Sequence, residues 1–240
     1  MQKLKIPYKL ERKINDFIQK LKDIYQDNLI SVILYGSAVS GEFIAKHSNL
    51  NMLIVLENTD PYILKKANKL IKKFSLFQPL FLSLKYIENS TDVFPIEFLD
   101  IKENYYLLYG KDIIRDITID LKNLRFQCEQ ELKAKLLNLY QLYLKLYKNK
   151  TALKDVLLRS FISVLHIARN ILRLKGKIPV YKKEMILDEL SKEFPVELSV
   201  WQRILNIRNK KEKIKRKEIE PLFVSFIHEI EKLVDIVDRL

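Results

Sequence analysis

The chain has 240 residues, 48% of them hydrophobic, and a formal charge of +13. That length and apolar content support one large or two modest packed domains and exclude a disordered chain. A single cysteine, Cys128, excludes an intrachain disulfide and a cysteine-type metal site, suits a reducing compartment, and reads as an inert helix residue.

The N-terminal run MQKLKIPYKLERKINDF has no apolar stretch before its acids and does not read as a signal peptide. Residues 9–25 repeat apolar positions at helical spacing, and LISVILY (29–35) and NMLIVLE (51–57) are apolar runs of buried-strand length. Pro61 opens a 3.6-residue period that predicts a helix over 61–77. Residues 79–87 and 92–100 read as two further strands, the second with Pro95 at an edge or bulge. Helices interleaved with strands make this half an α/β domain, with a mixed small sheet and flanking helices.

Near residue 118 the period changes. Residues 130–147 place Leu132, Leu136, Leu139, Tyr140, Tyr143 and Tyr147 on one helical face, and 222–240 repeat Leu222, Phe226, Ile230, Leu233 and Val237. Between them, 153–174 is apolar almost all round, but Arg159, His166, Arg169 and Arg173 argue against a membrane span. The expectation is an α/β domain over 1–118 and an all-α helical bundle over 119–240 in a soluble, cytoplasmic protein with no membrane partner. Charge follows the same division: 17 basic and 15 acidic residues lie in 1–120, against 26 and 15 in 121–240. A lysine- and isoleucine-rich composition also follows from genome bias or growth at high temperature, so net charge alone ranks nucleic acid below other partners.

Two of the four glycines, Gly36 and Gly41, fall in YGSAVSGEF directly after the first strand run. A strand ending in Tyr35, then Gly36-Ser37, then a short helix lets backbone N–H groups and the Ser37 hydroxyl approach a phosphate. Positions 49 and 51, at the start of the second strand, share a face by period-two alternation, and both are asparagine.

This layout resembles the nucleotidyltransferase superfamily, the fold of DNA polymerase beta and of the aminoglycoside and minimal nucleotidyltransferases, over roughly residues 28–112. The family pattern is Gly-Ser, a spacer, then Asp-x-Asp opening an apolar strand, with a third carboxylate on a later strand. The resemblance implies that Asn49 and Asn51 stand at the positions of the metal-binding aspartates and that Glu97, or alternatively Asp100, stands for the third carboxylate. It also implies nucleotide contacts from Gly36, Ser37 and Gly41. In the family the Asp pair holds two divalent metals on the nucleotide phosphates. Mg²⁺ favours anionic oxygen, which two amides do not supply. The metal centre therefore reads as degenerate, with no cofactor required and Mg²⁺ needed only if catalysis survives through Glu97. The bland alternatives are that Asn49 and Asn51 are turn residues entering a strand and that Glu97 and Asp100 are solvated carboxylates.

Two features remain in the second half. Asp155, Arg159, Ser163, His166, Asn170 and Arg173 form one polar stripe on an otherwise apolar helix, either a solvated face or a cleft lining in which Arg159, His166 and Arg173 meet a nucleotide. Residues 203–217 pack eight cations against Glu212, either as a solvated helix end or loop or as a patch for nucleic acid or an acidic partner, though without the interleaved aromatics of a single-strand stacking platform. The function expected is a catalytically impaired nucleotidyltransferase-fold protein that binds a nucleotide, a nucleic acid, a protein partner or a second copy of itself. The alternative is an active nucleotidyltransferase.

Overall fold

The computed structural model of the chain describes residues 8–40 and 49–240. The chain forms two compact units, 1–120 and 121–240.

In the first unit, α1 (Tyr8–Tyr25) leads through a short 3₁₀ turn into β1 (Leu29–Tyr35). There follow α2 (Ser37–Ser40), β2 (Leu50–Leu56), α3 (Pro61–Leu64), α4 (Asn68–Lys73), β3 (Phe77–Ser83), α5 (Leu84–Glu88), α6 (Pro95–Glu103) and β4 (Tyr105–Gly110). The strands form one mixed sheet in the order β3-β2-β1-β4. β1 is antiparallel to both β2 and β4, while β2 and β3 run parallel.

Both sheet faces are covered, which is why β1 and β2 read as continuous apolar runs rather than alternating ones. On one face Val32, Leu34, Met52 and Ile54 meet Ile14, Phe17 and Leu21 of α1. On the other, Ile33, Leu53 and Val55 meet Phe98 and Ile101 of α6 and Ile113 and Ile114 of the segment after β4.

Two expectations are corrected here. Residues 92–100 are not a strand: Pro95 occupies the first turn of α6, where its missing N–H costs nothing, and Glu97 follows within that turn. The helix over 61–77 is interrupted, with a 3₁₀ turn at 65–67 between α3 and α4, and its last residue already belongs to β3. β3 accordingly spans Phe77–Ser83, and the rest of the expected strand 79–87 is helix α5, capped by the Ser83 hydroxyl.

The second unit is entirely helical among its described elements: α7 (Leu121–Leu146), α8 (Lys150–Leu174), α9 (Lys183–Glu193), α10 (Leu198–Arg208) and α11 (Ile219–Asp238). The long helices α7, α8 and α11 pack on one another. Trp201 stands at the centre, fully buried against Phe161 and Phe226. Cys128 is buried in α7, and burial pushes its thiol up to about 12, so it stays protonated and unreactive. Among the described residues no helix is long and apolar enough to cross a membrane.

Candidate functional site

The site expected from the sequence begins where β1 ends. Gly36 turns the chain with φ of 76°, a left-handed conformation open to glycine without a Cβ penalty. Its N–H donates to the carbonyl of Asn104, the residue that ends α6, at 3.0 Å. Its carbonyl accepts the Val39 N–H at 2.9 Å, which opens α2. One residue thus ties the end of β1 to two helices.

The neighbouring strand brings Asn51 to this turn. Asn51 pairs with Tyr35 in the β1–β2 ladder, and a Cβ placed on Gly36 would lie 3.2 Å from Asn51 Nδ2. The structure therefore joins Gly36 and Asn51, two residues 15 positions apart. Asn49 is exposed and precedes Leu50, the first residue of β2, so only Asn51 of the two lies in the ladder. The Leu50 N–H already donates to Leu76, which marks where pairing starts.

The ladders extend this row across the whole sheet. Asn51 also pairs with Gln78 on β3, and Tyr35 pairs with Tyr105 on β4. Gln78, Asn51, Tyr35 and Tyr105 consequently share the face that α6 covers, because residues in register point the same way. Gln78 was not legible as a site residue, since the strand was expected to begin only at Pro79. Period-two counting back from Leu80 and Leu82, which share the Gln78 face, is the signal that finds it.

The row is electrically neutral. Its two amides carry no charge at any pH, and its two phenols are held protonated. Burial pushes the Tyr35 phenol up; burial also raises Tyr105, helped by the hydrogen bond its hydroxyl donates to Asp112 Oδ2 at 3.0 Å. Glu97 does not belong to the row. It is exposed in the first turn of α6, a helix that meets this face through Phe98 and Ile101. Asp100 lies one turn later on the same helix, half-buried.

A divalent cation requires several anionic or carbonyl oxygens converging on one point. Among the described residues no group of three or more His, Cys, Asp or Glu side chains is arranged to hold a metal. Asn51 and Gln78 offer only neutral carbonyl oxygens, so these residues do not fit a two-metal centre. Gly41 lies outside the described residues, and of Ser37 only the backbone, at the start of α2, is described.

In the second unit the α8 stripe changes character along its length. Arg159 is exposed and donates from Nε to the Asp155 carbonyl at 3.3 Å; His166 is half-buried. Asn170 and Arg173 are buried, and an Arg173 guanidinium N–H donates to Asn170 Oδ1, while Asn170 Nδ2 donates to the His166 carbonyl at 2.9 Å. Beside them the Arg169 guanidinium stacks over Tyr181, 4.6 Å from the ring centre. The solvated-face reading thus holds at Arg159 and fails at Arg173.

No family model matches the chain, and no curated protein matches its sequence. Among solved structures it is similar to the spectinomycin adenyltransferase AAD(9) from Enterococcus faecialis, crystallised with ATP and spectinomycin. That likeness has a TM-score of 0.59 at 14% identity and covers 92% of this chain and 99% of that one. The similarity spans both units and shows the fold: a nucleotidyltransferase-like α/β sheet followed by a helical C-terminal region.

Proposed function

We propose that this chain is a nucleotidyltransferase-fold protein that binds a nucleotide at the Gly36 turn and transfers it poorly or not at all. The observation that carries the reading is the neutral row Gln78–Asn51–Tyr35 beside Gly36. Two-metal nucleotidyl transfer relies on carboxylates to hold cations against the triphosphate and to offset their charge. Amides in those places leave a hard dication with weak ligands. Nucleotide binding itself is supported by the fold, since the neighbouring structure was solved with ATP, and by the open glycine turn. In this reading Gly36, Ser37 and Gly41 contact phosphate. A protein partner or a second copy of the chain would then receive the binding signal.

The competing reading is an active enzyme that moves a nucleoside monophosphate from a triphosphate to an acceptor hydroxyl and releases pyrophosphate, with Glu97 as a surviving ligand. It draws on the neighbour's being an adenyltransferase. Calorimetry with a nucleoside triphosphate, with and without Mg²⁺, separates the two. Binding that is indifferent to Mg²⁺, with no product from a labelled triphosphate, is the outcome expected. Tight binding only with Mg²⁺, accompanied by pyrophosphate release, would establish the enzyme.

A further inference from the structure

The segment joining α10 to α11 is strongly basic, with eight cations and two acids from Arg203 to Glu218. The fold sorts these charges by side. Arg203, in α10, takes both acids: its Nε donates to Glu212 Oε1 at 2.9 Å, and one terminal nitrogen donates to Glu218 Oε2 at 3.0 Å. The same Glu218 oxygen accepts the Lys215 N–H at 3.2 Å, and that backbone donor, with Arg203 behind it, holds the Glu218 carboxyl below its ordinary value.

The backbone is equally well tied. Lys210 takes a left-handed φ of 59°, and the N–H groups of Lys211 and Glu212 both donate to the Asn206 carbonyl, at 2.9 and 3.3 Å. With both anions drawn to one guanidinium, the seven remaining cations between Arg208 and Lys217 are all exposed. Consecutive cations on a short loop sit within a Debye length of about 8 Å and repel one another. A ligand carrying closely spaced negative charge relieves that repulsion.

We propose that this loop docks the phosphate backbone of double-stranded nucleic acid. Duplex backbone presents about one charge per 1.7 Å of axis, a dense anionic array that a cluster of exposed cations complements. The segment contains no aromatic residue, so it has no platform for stacking unpaired bases. Nor does it expose a large apolar side chain, which the core of a protein interface would require. Binding is therefore set by salt and indifferent to sequence. The inference uses only residues of the second unit and is independent of the nucleotide reading at Gly36.

The test is fluorescence anisotropy of the full-length chain with a labelled DNA duplex over a range of salt concentrations. The variant K213Q/K215Q/K217Q is expected to bind about tenfold or more weakly at low salt. Its log–log salt slope should fall by between about 2 and 3, close to 0.9 per lost phosphate contact. The variant K65Q/K66Q/K69Q removes the same charge from exposed positions of the first unit and should change neither quantity. Should the loop variant lose its cooperative melting transition, K210Q/K211Q carries the same test with a slope change of about 2. Equal losses in the loop and control variants, no salt-dependent binding, or competition by polyglutamate as effective as by duplex would each overturn the proposal. Triphosphate calorimetry on the loop variant should be unchanged, which separates failure here from failure of the nucleotide reading.

Discussion

Gly36 and Gly110 both adopt left-handed backbone angles, yet substitution should act differently at each. At Gly36 an added methyl meets, among the described residues, Asn51 Nδ2 at 3.2 Å, a side-chain rather than a backbone atom. Gly36→Ala should cost about 1–2 kcal/mol, mostly the left-handed strain, in a urea denaturation curve. At Gly110 the same methyl would stand 2.0 Å from the Ile30 carbonyl oxygen, in the backbone of the partner strand. Gly110→Ala should therefore force β4 away from β1 and cost more than about 4 kcal/mol. If the Gly36 turn receives phosphate, Gly36→Ala should also weaken triphosphate binding. Equal stability losses at the two glycines would show that the strands accommodate the clash. The register of the site row gives a second prediction. Asn49→Asp with Asn51→Asp should raise Mn²⁺ affinity measurably by calorimetry, and adding Gln78→Glu should raise it further, because Gln78 pairs with Asn51. Indifference of metal affinity to all three changes would mean that the row does not converge on a cation. Gly36 and Asn51 were legible because glycine scarcity and strand period need only local sequence. Glu97 was expected on a strand and lies in helix α6, because one carboxylate in a short apolar run gives no clue to helix or strand.

The elements that were legible are those whose burial is uniform. β1 and β2 are covered on both faces, and α7, α8 and α11 carry long apolar stripes, so their periods stand out. The helix α6 is not legible because DVFPIEFLD is too short to separate the two periods, and Pro95 fits a strand edge or bulge as well as the helix start it occupies. α10 and α11 owe part of their packing to one buried carboxylate. Glu229 is 1% exposed, and its Oε2 accepts the Glu197 N–H at 2.7 Å and the Trp201 indole N–H at 3.2 Å, while Lys232 donates to Oε1 at 2.6 Å. Glu229→Ala leaves the buried Trp201 indole N–H and the part-buried Glu197 N–H unmatched and should cost about 2–4 kcal/mol. Trp201 is the chain's single tryptophan, so its emission reports this joint directly. A red shift and an earlier denaturant midpoint are expected for Glu229→Ala, with Glu229→Gln intermediate because its amide oxygen still accepts one bond. Unshifted emission would mean that the indole N–H finds another partner.

Over the whole molecule, the described carboxylates held below their ordinary value all lie in the second unit, and that direction fixes how stability responds to pH. Glu129 is held below the ordinary carboxylate value chiefly by Lys133, Glu189 by Lys192, Glu218 by the Lys215 N–H, and Glu220 by Lys150 and then the Tyr143 hydroxyl. A group whose folded value is depressed contributes stability above its unfolded value, and that contribution disappears as pH falls through the folded value. Lys133 and Lys192, with Lys177 beside Glu193 and Lys232 beside Glu229, are raised above the ordinary lysine value, so their contribution is present below that value and lost as pH climbs through the raised one. Between these limits the helical unit should show a flat stability plateau. Thermal unfolding followed by Trp201 emission should then hold steady from about pH 6 to 9 and fall once pH drops below about 4.5. These carboxylates lie near the surface, so about 1 M salt, with a Debye length near 3 Å, should remove much of that acid sensitivity. Glu220 bridges α11 to Tyr143 of α7 and Lys150 of α8, so Glu220→Gln should flatten the acid limb more than Glu189→Gln, whose partner Lys192 lies on the same helix. An acid limb unchanged by salt and by both substitutions would assign the transition to net charge repulsion on a strongly basic unit rather than to its ion pairs.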